Sequence, residues 1–196
     1  MASVECCVPA PHAHHTSTGV GETWGANSVY VNAPPGASKA VLLVTDVFGR
    51  MGSSIAKPEP VEESKEIIEF LNEKGVRSIG VAGFCWGAQV AVSLAKGAYV
   101  QAAVLLHPSL VTTEDIREVK VLIATLAAEI DRTSPPALIQ EFEKILVSKS
   151  EVPHFVKIYP RVIHGWTVRY EVNDEKAVAE AEEAHAALLD WFGKSL

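Results

Sequence analysis

From residue 39 onward the chain alternates between two kinds of apolar pattern. Short runs rich in Val, Ile, Leu and Ala at 39–45, 78–82, 102–107, 119–127 and 154–159 have the length and composition of buried strands. Segments at 61–74, 86–96, 136–148 and 174–193 repeat their apolar residues every three or four positions and read as helices. In the last of these, Val178, Ala181, Ala184, Leu188 and Trp191 form a single stripe, the mark of core packing rather than of a cofactor-binding face. A further strand is predicted at 26–31, before the turn signal Pro34-Pro35-Gly36. Strand and helix in alternation predict an α/β domain with a mostly parallel sheet covered by helices on both faces. Residues 1–22 lack the pattern and are expected to form a flexible tail, leaving 23–196 as one domain. A length of 196 residues with 48% hydrophobic content suffices for one sizeable core and is short for two.

Composition narrows the partners. The formal net charge is −7 and the basic residues are scattered, which argues against nucleic acid and anionic membrane surfaces, both of which need clustered positive charge. No apolar run approaches the roughly 18 residues that a membrane span requires, and the first residues carry no basic and apolar leader pattern, so a cytoplasmic protein without a membrane partner is expected. Of three cysteines, Cys6 and Cys7 are adjacent, and an odd count implies no disulfide framework. Those two with His12, His14 and His15 match no structural zinc spacing, so no metal is expected. No internal repeat is present, and the Gly-, Ser- and Pro-rich stretch between Arg50 and Pro60 reads as an internal junction.

The chemistry concentrates at Gly83-Phe84-Cys85-Trp86-Gly87-Ala88, where a predicted strand turns directly into a predicted helix. In a G-x-S-x-G elbow the nucleophile sits on a strained turn above the sheet, and here cysteine takes the place of serine. A thiol at a helix N-terminus has its thiolate favoured by the helix dipole, and the backbone N–H that follows can bind an oxyanion. A nucleophile of this kind needs a base and an acid, in the chain order nucleophile, acid, histidine. Asp131 lies at the end of the predicted strand 119–127 and its Glu129-Ile130 extension, ahead of a helix for which Ser134 is the expected N-cap. His164 lies in the loop that follows strand 154–159, which is expected to end at Pro160. His107, at a strand end before Pro108, is the only rival base, and it precedes the acid in sequence.

Asp46-Val47-Phe48-Gly49, Gly83-Phe84-Cys85-Trp86-Gly87, Leu106-His107-Pro108, Ala128-Glu129-Ile130-Asp131 and His164-Gly165-Trp166-Thr167-Val168-Arg169 together resemble, in order, the landmarks of the dienelactone hydrolase family, its plant members above all. The resemblance implies an α/β-hydrolase fold, a Cys85, Asp131, His164 triad, oxyanion N–H groups from Val47 and Trp86, and substrate contacts from Asp46, Phe48, Trp166 and Arg169. It further implies a small ester or lactone as substrate, no cofactor, and a monomer or weak homodimer. Family members usually continue after the D-x-F-G motif with a helix, another core strand and a further helix. This chain instead passes from Arg50 through Pro60 into the helix at 61–74. One core strand and its flanking helices are therefore expected to be missing, leaving the 40–45 strand at a sheet edge. A truncated, inactive hydrolase fold is the alternative this raises. Two further readings are weaker on their own criteria. A glutamine amidotransferase shares the G-x-C-x-G-x-Q elbow but usually carries glutamate two residues after its histidine, where this chain has Trp166. A glycan hydrolase usually needs two carboxylates flanking the bond, whereas this chain offers a thiol elbow.

Overall fold

In the computed structural model the described residues are 19–46 and 59–196. The order is β1 (Val20–Trp24), β2 (Asn27–Val31), β3 (Lys39–Val44), α1 (Glu59–Glu73), β4 (Ser78–Phe84), α2 (Gly87–Lys96), β5 (Ala102–Leu106), α3 (Thr113–Glu118), β6 (Leu122–Ile130), α4 (Pro136–Val147), β7 (His154–Ile163) and α5 (Glu175–Ser195). Strands β3 to β7 form one sheet in sequence order, every neighbouring pair parallel. All five C-terminal ends therefore emerge along one rim. β1 and β2 make a separate antiparallel hairpin, joined to α1 by the stacked rings of Trp24 and Phe70 and by Asn27 donating to Glu66.

Alternation along the central strands divides the core. On one face Val81, Ala103, Leu105 and Ile123 pack with residues of α1, α2 and α4, including Ile68, Leu94, Phe142 and Leu146. On the other, Ala82, Val104, Leu106 and Leu126 pack with Ala184, Leu188 and Phe192 of α5. Helices thus cover both faces, and β5 is buried at every position, as a central parallel strand should be. Glycine is needed where α5 crosses β4, because a Cβ on Gly80 would run into the Phe192 ring. At the sheet margin β3 pairs only with β4 among the described residues, and its Val41 and Leu43 side chains are exposed.

Several elements depart from the sequence expectation. β1 begins at Val20, inside the stretch assigned to the tail, and residues 1–18 of that stretch lie outside the described residues, as do 47–58 of the junction. α3 was not expected at all. β7 does not stop at Pro160 but runs on to Ile163 across a register shift against β6, with Arg161 at a φ of 63°. A proline lacks the N–H of a ladder bond, and an edge strand with a bulge is where a sheet tolerates one. Ser134 does not cap α4: the helix starts at Pro136 with Pro135 in the capping place, and the Ser134 N–H is used elsewhere.

Candidate active site

Cys85, His107, Asp131 and His164 all lie within a residue or so of the C-terminal ends of β4, β5, β6 and β7, so the parallel sheet alone brings them to one rim. Cys85 has a φ of 53°, a left-handed conformation that costs a non-glycine residue roughly 1–2 kcal/mol. The surroundings enforce it. The Cys85 N–H donates to the Leu106 carbonyl at 3.0 Å, and its own carbonyl accepts from the N–H groups of Ser109 at 2.9 Å and Ala88 at 3.1 Å. Both elbow glycines are required by close approach: a Cβ on Gly83 would meet the Gly87 carbonyl, and one on Gly87 would meet the Val44 carbonyl. The thiol is thereby presented at the start of α2, beside the backbone N–H of Trp86, which helps to stabilise its thiolate.

Asp131 is buried and uses its two oxygens for different purposes. Oδ1 accepts the N–H groups of Thr133 at 2.7 Å and Ser134 at 3.1 Å, which folds the loop around the carboxylate. Oδ2 lies 2.7 Å from Nδ1 of His164, whose side chain is 9% exposed. A proton on Nδ1 shared with a carboxylate leaves Nε2 as the other functional nitrogen. Among the described residues Nε2 makes no conventional hydrogen bond, yet His164 and Cys85 perturb one another. Burial pulls the His164 pKa down, but Asp131 and the Cys85 sulfur more than reverse this and push it up to about 9. Burial pushes the Cys85 pKa up, but His164, the Ser109 hydroxyl and the Trp86 N–H together bring it below its ordinary value. The sulfur's direct hydrogen-bond contact is with Ser109, Sγ to Oγ at 3.4 Å.

The other expected residues fall into three groups. Asp46, just past β3, forms an ion pair with Arg169, and both side chains are largely buried. Trp166 is 5% exposed and sits within the core, its ring 5.5 Å from that of His107 and 5.3 Å from that of Tyr159. Val47 and Phe48 lie outside the described residues. His107 does not take the place of the base: it is fully buried behind His164, ring centroids 5.0 Å apart and nearly perpendicular, with Nδ1 at 3.2 Å from the Thr167 hydroxyl. Ser109 was missed by sequence reasoning, because a serine three residues after a strand end belongs to no motif; only the β4–β5 register places it on the thiol.

A cleft of about 420 Å³ lies far from this rim, near the N-terminal ends of β6 and β7, lined by Lys96, Arg117, Lys120 and Lys149 among others. Its lysines are largely engaged: Lys96 pairs with Asp115 and Glu118, and Lys149 donates to the carbonyls of Arg117 and Val119. Among the described residues there is no group of three or more metal-ligating side chains, and no helix is long and apolar enough to cross a membrane.

Residues 59–196 match the dienelactone hydrolase family model. The chain is similar to an endo-1,3;1,4-beta-D-glucanase of Zea mays, 30% identical over 167 residues, covering 66% of this chain and 55% of that protein. It is also 30% identical over 137 residues to a carboxymethylenebutenolidase homolog of Xenopus tropicalis, covering 68% of this chain and 55% of the frog protein. It thus spans about half the length of these two relatives. Among solved structures, a candidate dienelactone hydrolase from Klebsiella pneumoniae superposes with a TM-score of 0.70 at 13% identity, covering 89% of this chain and 98% of that one. That superposition shows an α/β-hydrolase fold, and with the family match over α1 to α5 the conclusion is direct: the chain belongs to the dienelactone hydrolase family.

Proposed function

We propose that this chain hydrolyses small esters or lactones through a covalent intermediate on Cys85. The observation that carries the reading is a thiol on a strained elbow whose pKa is lowered by an imidazole that is itself held by a buried carboxylate. The Cys85 thiolate attacks the acyl carbon, and the developing oxyanion is met by the Trp86 N–H and, by family analogy, by that of Val47. As the tetrahedral adduct collapses, the bond from the acyl carbon to the alkoxide oxygen breaks, and protonated His164 gives that oxygen its proton. With a lactone the alcohol so formed stays attached to the acyl group. Neutral His164 next takes a proton from water, hydroxide attacks the thioester, and the Cys85 thiolate leaves with the carboxylic acid as product. Asp131 holds the imidazole in the required tautomer throughout. By family analogy Asp46, Phe48, Trp166 and Arg169 are assigned to substrate contact.

The test is hydrolysis of a panel of aryl esters, thioesters and small lactones by the intact chain, with mass spectrometry for an acyl adduct. Cys85→Ala is expected to lower kcat/KM by at least about 10³-fold and to abolish the adduct. The profile of kcat/KM against pH is expected to rise as the thiol ionises and to fall near pH 9 as His164 loses its proton. Turnover that survives Cys85→Ala overturns the thiol mechanism, and no turnover or adduct on any substrate points to an inactive member of the fold. The maize relative's name motivates a second reading, cleavage of a mixed-linkage glucan. Such chemistry usually needs two carboxylates flanking the bond, and here Asp131 and Asp46 are engaged with His164 and Arg169. Release of sugar by the Cys85→Ala variant would favour it.

A further inference from the structure

The turn after β5 touches both halves of the thiol and imidazole pair. Ser109 is buried, its N–H donates to the Cys85 carbonyl at 2.9 Å, and its hydroxyl oxygen lies 3.4 Å from the Cys85 sulfur. Two residues earlier, His107 is fully buried with a φ of 36°, bonded to Thr167 through Nδ1, and its ring meets that of His164 edge to face at 5.0 Å. A left-handed backbone at a buried histidine is an uncommon arrangement, and here it aims the ring at the candidate base. We propose that His107 and Ser109 are positioning residues of the thiol and imidazole pair, Ser109 holding the sulfur by its hydroxyl and His107 fixing the His164 ring from behind. The proposal rests on the thiol hydrolase reading and adds to it two side chains outside the triad.

Chemistry fits each to its place. A hydroxyl can accept a hydrogen bond from a thiol and donate one to a thiolate, so Ser109 serves the sulfur in both protonation states, which a backbone N–H cannot. His107 faces His164 and lies in the field of Arg169 and of His185 on α5. Burial first, and then His164, Arg169 and His185, hold its pKa well below the ordinary histidine range. It therefore stays neutral when His164 is charged, and a neutral ring against an imidazolium adds no repulsion.

The experiment is the pH profile of Cys85 alkylation by iodoacetamide in the intact chain, read by mass spectrometry of the Cys85 peptide, for the unmodified chain and for His164→Ala, Ser109→Ala, Ser109→Thr and His107→Asn. Asparagine is chosen because it tolerates the left-handed backbone while removing the ring. Ser109→Ala is expected to raise the alkylation midpoint by about one pH unit, the effect of losing one hydrogen bond to a charged group, and to slow alkylation below the midpoint about tenfold. Ser109→Thr is expected to restore it. His107→Asn is expected to move the midpoint toward that of His164→Ala, because an unsupported ring stabilises the thiolate less. If His164→Ala shifts the midpoint but Ser109→Ala and His107→Asn do not, the positioning role is overturned and the hydrolase reading stands. If the unmodified chain titrates like a free thiol and His164→Ala changes nothing, the hydrolase reading itself falls. Should Ser109→Ala lose cooperative unfolding, His107→Asn decides by the same criterion.

Discussion

At the scale of single residues the candidate site is held by steric necessity as much as by hydrogen bonds. Gly83 and Gly87 leave room for a backbone contact on either side of Cys85, and the cysteine pays for its left-handed conformation through three backbone hydrogen bonds to its neighbours. Gly83→Ala is accordingly expected to destabilise the fold by roughly 3 kcal/mol, because the new methyl meets a carbonyl that cannot swing away. Urea denaturation measures it, and a change under about 0.5 kcal/mol, the size of an ordinary surface substitution, would mean the elbow is not packed as described. These residues were legible in the sequence because their chemistry has a fixed local spacing: glycines two before and two after the thiol, then an acid and a histidine at later strand ends. Ser109 was not legible. Its contact depends on how β4 and β5 align, which no local pattern encodes. His107 was seen only as a rival base, because its position behind His164 depends on the loop after β7.

Among the elements, the strands and long helices follow from periodicity, and the departures share a cause: short or interrupted patterns. α3 has six residues, too few for an apolar stripe, yet Thr112 and Asp115 close a reciprocal capping box that is a sequence signal in its own right. The same Asp115 carboxylate pairs with Lys96 at the end of α2, so the cap also fastens one helix to the next. Thr112→Ala is expected to cost about 1 kcal/mol in equilibrium unfolding, with Thr112→Ser close to neutral. Equal losses for the two would show that the methyl contact matters rather than the hydroxyl. β7 misled for the opposite reason: Pro160 is a genuine breaker signal, overridden because the strand lies at the sheet edge and bulges there. The hairpin strand β1 has mostly exposed side chains and so offers no buried face for a sequence pattern to reveal.

For the whole molecule, the pairing of His164 with Asp131 and Cys85 couples the site to stability. His164 keeps its proton in the folded chain to about pH 9, against an ordinary value of 6.5, so its contribution is fully present below pH 6.5 and is lost as pH rises through 9. The thiol's shift has the opposite sign and is the smaller, so it offsets only part of the loss. The Tm is therefore expected to fall between about pH 6.5 and 9, and His164→Ala is expected to flatten that slope. An unchanged slope in the variant would assign the pH dependence to other groups. The architecture was legible as a mostly parallel, helix-covered sheet because strand and helix alternate from residue 39 onward. The strand order is the sequence order, the adjacency that consecutive parallel strands favour. The link between its two margins was not legible: Asp46 leaves β3 at one edge of the sheet and Arg169 follows β7 at the other, 123 residues later, and the two meet. That ion pair ties the segment after one outermost strand to the segment after the other, across the rim that carries Cys85. Loosening at one margin is therefore felt at the other, and hydrogen exchange is expected to show β3 and β7 fraying together rather than one at a time.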